Sequence, residues 1–175
     1  MQWGTHIQFG LETLWLWQLA PAGAITGHLP VVIACSAMGA LLPDLDAAES
    51  KIKHLSIMRV KPFMLPAMAA HRQWGHRGFT HSVSALAALV PASLLLVPWL
   101  GWQGAVALLL GYASHLVADA CTKTGIPILY PRRKRYWLLP AKLRVVTGSQ
   151  SEEIVFALLS VSVIAYLLLH LPFAS

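Results

Sequence analysis

The stretch that decides the fold class is Ile154 to Leu171, which reads IVFALLSVSVIAYLLLHL. It contains one His and no Lys, Arg, Asp or Glu over its 18 residues. As a helix with a rise of about 1.5 Å per residue it would extend about 27 Å, close to the thickness of the hydrocarbon core of a bilayer. The stretch therefore predicts a membrane-spanning α-helix.

The rest of the chain has a similar character. Hydrophobic residues make up 57% of its 175 residues and charged residues only 11%, whereas soluble domains average about 25% charged residues. This composition predicts an all-α fold, an integral membrane bundle of about four to five hydrophobic helices that forms one domain over residues 1–175. The five predicted segments are Ile7–Leu19, Pro30–Leu42, Val83–Leu100, Ala105–Ala120 and a last one from about Glu153, with a tight turn at Gly101–Gly104.

The basic residues predict the topology. All 13 Lys and Arg fall in two stretches, six between Lys51 and Arg77 and seven between Lys123 and Arg144. Both stretches flank hydrophobic segments, and Lys and Arg next to membrane helices are typical of cytoplasmic loops. We therefore expect two basic cytoplasmic loops, 43–80 and 121–152. The net charge of +6 comes from these two loops, which we expect to contact anionic membrane lipids. We therefore expect no nucleic-acid partner.

Good metal ligands are concentrated where these segments begin or end. Three of the chain's seven acidic residues belong to this set. An ionisable group at the edge of a bilayer is costly unless something offsets the cost, so the set is a candidate functional site. Its members are His6, Asp44, Asp46, His76, His81, His115 and Asp119. On the predicted topology all seven lie at cytoplasmic helix ends. Glu12, inside the first segment, is expected to face the site or to pair with a cation.

Three local motifs supply most of these residues. In Leu42-Pro43-Asp44-Leu45-Asp46 two carboxylates follow a helix end, and they can bind a hard cation or contact solvent. The second motif, HRGFTHS at 76–82, places two imidazoles before a helix, with Thr80 or Ser82 available to cap the helix or support a ligand. In the third, His115 and Asp119 are four residues apart and share a helix face, where they can bind one metal or form a hydrogen bond.

Four histidines and three aspartates are more than one tetrahedral zinc ion needs. A site for two divalent ions, Zn or Mn, fits the set better. Asp44 or Asp119 would orient or deprotonate the attacking water, and Arg77 would bind a phosphate or carboxylate oxygen of the substrate. The HExxH zinc motif, a Gly-x-Ser-x-Gly elbow and a phosphate-binding P-loop are all absent from the sequence.

The motifs LLPDLD, GHRGFTHS and GYASHLVADACTKTGIPILYP together resemble the YdjM-like family, described as LexA-regulated, membrane-bound metal-dependent hydrolases. The resemblance covers about three quarters of the chain, from His6 to about Pro131, and implies that the seven His and Asp residues above are the metal-binding positions. In one place the chain departs from the family pattern. Members often have a His directly after the second Asp, where this chain has Ala47.

The sequence therefore predicts a metal-dependent hydrolase of the bacterial inner (cytoplasmic) membrane, multi-pass and with its site facing the cytoplasm. Metal-activated water would attack a phosphate ester or acyl bond of an amphiphilic, anionic, lipid-like substrate. The alternative is a non-catalytic metal-binding membrane protein, either a regulator or a small ion transporter, because ionisable residues in membrane helices also mark ion pathways.

Overall fold

The computed structural model of the chain describes residues 1–18, 25, 28–46 and 78–170. These residues form five α-helices and three short 3₁₀-helices, and they contain no β-strand, only two isolated β-bridges. The prediction of an all-α fold is confirmed for this part of the chain. The α-helices are α1 (Trp3–Gln18), α2 (Leu29–Leu41), α3 (Val83–Leu95), α4 (Val97–Ala120) and α5 (Gln150–His170); the 3₁₀-helices are Leu42–Asp46, Phe79–His81 and Ala141–Leu143.

Helices α2 and α4 are in the closest contact, and two glycines make this possible. A Cβ atom on Gly39 would overlap the carbonyl group of Leu108, and one on Gly111 would overlap the carbonyl group of Ser36. Around this contact, α1 and α5 add Leu14 and Tyr166 to a buried cluster with α2 and α4. Close packing at small residues is common between membrane helices, because the hydrophobic effect does not drive helices together within lipid.

The boundary between α3 and α4 differs from the prediction. Helix α3 ends at Leu95 and α4 begins at Val97, with Pro98 in its first turn, where a proline costs no helical hydrogen bond. The predicted turn at Gly101–Gly104 is confirmed at Gly101, whose φ of 68° and ψ of 163° are non-helical, so that a kink divides α4 there, while residues 102–104 are helical. Such a positive φ is readily adopted by glycine alone.

Two helices are long and apolar enough to cross a bilayer by length and composition, residues 97–120 and 150–169. They differ in how much of their surface the protein covers. In the most apolar window of α4, 56% of the residues are buried, whereas the corresponding value for α5 is 17%. The outer face of α5 exposes large apolar side chains such as Leu158 and Val161. An apolar helix with this much uncovered surface is suited to contact with lipid.

Helix α1 begins four residues earlier than predicted, at Trp3 rather than Ile7. As a result His6 lies inside the first helix, one turn from its start, and its side chain is fully buried. Helix α2 ends at Leu41, and Pro43 and Asp44 follow in a 3₁₀ turn. The start of α1, the end of α2, the start of α3 and the end of α4 meet at one end of the helices, where five of the seven predicted metal ligands lie.

Candidate metal centre

Five of the seven predicted ligands lie together, although they come from four separate parts of the chain. Two overlapping groups of side chains could each hold a metal ion. One consists of His6, His115 and Asp119, and the other of Asp44, His81 and His115. The three imidazoles and Asp119 are fully buried, while the side chain of Asp44 is 20% exposed.

His115 is held in a defined orientation. Its Nδ1 lies 2.7 Å from the carbonyl oxygen of Ala40. A carbonyl only accepts hydrogen bonds, so Nδ1 carries the proton and Nε2 is left with a lone pair. This arrangement is typical of metal-binding histidines, whose second nitrogen donates to a carbonyl or carboxylate. The contact depends on the close approach of α2 and α4 at Gly39 and Gly111.

Four candidate ligand atoms lie around the imidazoles of His81 and His115. The two Nε2 atoms of His81 and His115 are 3.2 Å apart. Asp44 Oδ1 is 3.5 Å from the first and 3.7 Å from the second, and Asp119 Oδ2 is 3.7 Å and 3.9 Å from them. Ligands of a tetrahedral zinc ion, at about 2.0–2.2 Å from the metal, are about 3.3–3.5 Å from one another. These five spacings are close to those between zinc ligands, and we call His81 Nε2, His115 Nε2, Asp44 Oδ1 and Asp119 Oδ2 the four-ligand set.

The other oxygen of Asp119 faces a different group. Oδ1 is 3.3 Å from Nε2 of His6, whose ring stacks on that of His115 with 3.6 Å between the centroids. The α-amino group of Met1 lies 2.5 Å from the same oxygen, so a positive charge is held against it. His6 Nδ1 is buried and has no hydrogen-bond partner within the described ranges. The two oxygens of Asp119 thus face different groups: Oδ1 faces His6 and Met1, and Oδ2 faces His81 and His115.

The residues around His81 hold it in position, as the HRGFTHS motif suggested. Thr80 Oγ1 lies 3.1 Å from His81 Nδ1, which leaves Nε2 directed at the four-ligand set. Tyr112 donates a short hydrogen bond to the carbonyl oxygen of Thr80. Ser82 caps α3, since its Oγ accepts a hydrogen bond from the backbone N–H of Ala85 at 3.2 Å. The prediction that Thr80 or Ser82 supports the ligands or caps the helix is confirmed for both residues.

The electrostatics favour a bound cation. Burial raises the pKa of the Asp44 carboxyl, but the hydrogen bond with His81 and the nearby imidazoles of His115 and His6 outweigh it, so the pKa lies well below its ordinary value. Asp44 is therefore an ionised carboxylate, the form that binds metals. Two carboxylates in a buried space need compensating positive charge, because isolated buried charges are strongly unfavourable, and of these two the α-amino group of Met1 contacts only Asp119. The residues present thus fit a divalent cation.

The remaining predicted residues are placed only in part or not at all. Asp46 ends the 3₁₀ turn after α2, but its side chain lies outside the described part of the chain. His76, Arg77 and Ala47 lie outside it altogether. One of the two expectations for Glu12 was that it faces the metal centre. The structure differs, because Glu12 lies against α5 and accepts a hydrogen bond from Ser162. Sequence reasoning missed the carbonyl of Ala40, since backbone groups from another helix leave no signal in residue spacing.

A cavity of about 210 Å³ lies beside the centre. It is lined by the first turn of α1, including Trp3 and Thr5, and by the start of α5, including Glu152 and Phe156. None of the five ligands lines it. Thr5 lines the cavity and His6 belongs to the centre, so the first turn of α1 separates the two spaces.

Comparison with known proteins agrees with the resemblance seen in the motifs. The chain matches the family described as "YdjM inner membrane protein" over residues 1–173. The proteins named inner membrane protein YdjM from Escherichia coli (strain K12) and Shigella flexneri are each 39% identical to it over 114 residues, which is 61% of this chain and 53% of theirs. The chain thus spans about half the length of these relatives.

A third relative, named uncharacterized protein YvsG, comes from Bacillus subtilis (strain 168). It is 33% identical over 154 residues, 87% of this chain and 86% of its own length. No solved structure matches the chain. The family match extends over almost the whole sequence and the predicted resemblance is confirmed: this chain belongs to the YdjM family of inner membrane proteins.

Proposed function

We propose that this chain is a membrane-embedded, metal-dependent hydrolase that acts at the cytoplasmic face of the bilayer. The observation that carries the proposal is the four-ligand set, in which each of two imidazole nitrogens lies 3.5–3.9 Å from two carboxylate oxygens, spacings close to those between metal ligands. Nε2 of His115, which carries no proton, faces Asp44 Oδ1 at 3.7 Å and Asp119 Oδ2 at 3.9 Å, and packing alone would not favour a lone pair against two carboxylates.

The chain's own residues provide for two ions. The four-ligand set would hold one, and His6 with Asp119 Oδ1 would begin the coordination of a second. His76 and Asp46 would complete it if they act as the sequence predicts. When bound, two divalent cations supply an activated water and stabilise negative charge that develops on a substrate oxygen.

Asp44 and Asp119 would have different roles. Asp119 is fully buried and would hold both ions in place through its two oxygens. Asp44 is the ligand with an exposed fraction of its side chain, so it would accept a proton from water that enters from the surface. Arg77 would bind an oxygen of the anionic substrate group.

The substrate class follows from the surroundings of the centre. The segment from Cys121 to Ser151 has seven Lys and Arg and no acidic residue. Arg132, Arg133, Lys134 and Arg135 are exposed, and so are the neighbouring apolar residues Trp137 and Leu138. Basic and apolar side chains together attract amphiphilic anions, so we propose a phospholipid or a polyprenyl phosphate.

The direct test is hydrolysis by detergent-purified protein loaded with zinc or manganese, on a panel of phospholipids and lipid phosphates. We expect turnover by the wild type, loss of activity in His81→Ala, and wild-type activity in the control Glu153→Gln, which changes an exposed carboxyl at the start of α5. Metal-loaded wild type that hydrolyses none of the panel would contradict the proposal.

One observation bears on the alternative, a metal-binding regulator or ion transporter. Polar side chains of α1 and α5 occur along much of the length of these helices, a feature that ion pathways share. On α1, however, Gln8 and Glu12 lie about 200° and 240° around the helix axis from His6, at about 100° per residue. The polar groups therefore face away from the metal centre, which favours the enzyme over a pathway for the same metal.

A further inference from the structure

Helices α1 and α5 are joined by hydrogen bonds between polar side chains, which we call the α1–α5 seam. Gln8 Nε2 donates to Ser160 Oγ at 2.9 Å, and Ser162 Oγ donates to Glu12 Oε2 at 3.0 Å. Further along the helices, Gln18 Nε2 donates to the hydroxyl of Tyr166 at 3.2 Å. The seam lies on the face of α1 opposite His6, so it is separate from the metal centre.

Two oxygen atoms of the seam are buried without a donor. Gln8 Oε1 and Glu12 Oε1 both lack a hydrogen-bond partner among the described residues. The orientation of the Gln8 amide is fixed, because the hydroxyl proton of Ser160 is already donated to the carbonyl oxygen of Phe156 at 2.8 Å. The Gln8 group that faces Ser160 must therefore be the NH₂, and its oxygen must point elsewhere.

Among the residues that the structure describes, none provides a charge next to Glu12 that would compensate its ionised form. Helix α2 contains no charged residue, and the acidic residues of α5, Glu152 and Glu153, lie in its first turn. The titratable group of α5 next to the seam is Tyr166, which pairs with Gln18. In α4 the titratable groups are Tyr112, His115 and Asp119, which lie on the side of the metal centre. An ionised carboxylate at this position would be strongly unfavourable, whereas a neutral carboxylic acid is far less so.

We infer that Glu12 binds a proton and that the α1–α5 seam is a proton-binding site. Gln8 and Glu12 are four residues apart on one helix face, where side chains are neighbours. As a neutral acid, Glu12 donates its O–H to Gln8 Oε1 and continues to accept from Ser162 through Oε2. One proton thereby satisfies both buried oxygens. Without that proton, Gln8 Oε1 and Glu12 Oε1 are two acceptors that face each other with no donor between them. The attachment of α5 to α1 is then weaker.

Infrared spectroscopy of the full chain in lipid nanodiscs tests the inference directly. We expect the wild type at neutral pH to show the carbonyl band of a protonated carboxylic acid, shifted in ²H₂O and absent in Glu12→Gln. The control Glu153→Gln should retain it, because that carboxyl is exposed. A wild-type spectrum without this band at neutral pH, or a band that survives in Glu12→Gln, would overturn the inference.

Gln8→Met tests the partner of the proton. Removal of the acceptor should move the Glu12 band to higher frequency, since the carboxylic acid loses a hydrogen bond; an unchanged band would overturn the assignment of Gln8.

Thermal unfolding against pH gives a second readout. The folded protein retains a proton that the unfolded chain releases, so the wild type should lose stability with rising pH relative to Glu12→Gln. Glu12→Gln should fold, because its amide can donate to Gln8 and accept from Ser162. Parallel curves for the two proteins, or a wild type stabilised instead by sodium or potassium, would overturn proton binding.

Discussion

The metal centre and the α1–α5 seam both place buried polar groups between helices, and they differ in what those groups need. At the centre, two carboxylates and three imidazoles converge, and the Nε2 atoms of His81 and His115 lie 3.2 Å apart. In the seam, one carboxyl lies among neutral side chains. The first arrangement calls for a multivalent cation and the second for a single proton. Residue type alone does not separate them, since Asp119 and Glu12 are both carboxyl groups in apolar helices; their neighbours do.

Removal of metal should have the largest effect and should separate the two regions. Without ions the two carboxylates of the centre are balanced only by the Met1 α-amino group and the neighbouring imidazoles. Chelator treatment is therefore expected to lower the free energy of unfolding by about 4 kcal/mol relative to protein in metal at 1,000 times the Kd. Thermal unfolding in detergent, with and without added zinc, measures this. Glu12→Gln should respond as the wild type does, because the seam holds no metal. Equal stability with and without chelator would contradict a structural contribution from bound ions.

Gly111→Ala should have a smaller effect that is confined to the metal centre. The added Cβ would overlap the carbonyl group of Ser36 and push α2 away from α4. The carbonyl oxygen of Ala40 would then no longer reach His115 Nδ1. We expect a loss of about 1–3 kcal/mol in the free energy of unfolding, together with weaker metal binding. The infrared band assigned to Glu12 should be retained.

The matched control for Gly111→Ala is Val117→Ala, in the same helix at a side chain that is 48% exposed. It should leave metal affinity unchanged. If Gly111→Ala bound metal as tightly as this control, the close contact of α2 and α4 would not be what positions His115.

The sequence predicted those features that depend on spacing within one segment. His115 and Asp119 were expected on one face of a helix because they are four residues apart, and both are buried there. Thr80 and Ser82 were expected near a helix start from their residue types. The all-α fold and the family followed from the apolar segments and the three motifs.

Features that depend on contact between helices were not predicted. The approach of α2 to α4 rests on two glycines 72 positions apart, and neither glycine breaks the local pattern of its helix. For the same reason the Ala40 carbonyl and the pairing of Glu12 with Ser162, 150 residues away, were missed. The break expected over Gly101–Gly104 occurs at Gly101 alone, because only that residue has non-helical φ and ψ angles.

The most direct test of the account is the metal content of detergent-purified protein, measured by elemental mass spectrometry on the wild type beside His115→Ala and Asp44→Ala. The account predicts two equivalents of zinc or manganese in the wild type and a loss of bound metal in both variants, since each removes one member of the four-ligand set. A wild type that holds no metal even after reloading with either ion would contradict it. These residues would then form a polar network at the helix ends, and the proposed hydrolase would have to be abandoned.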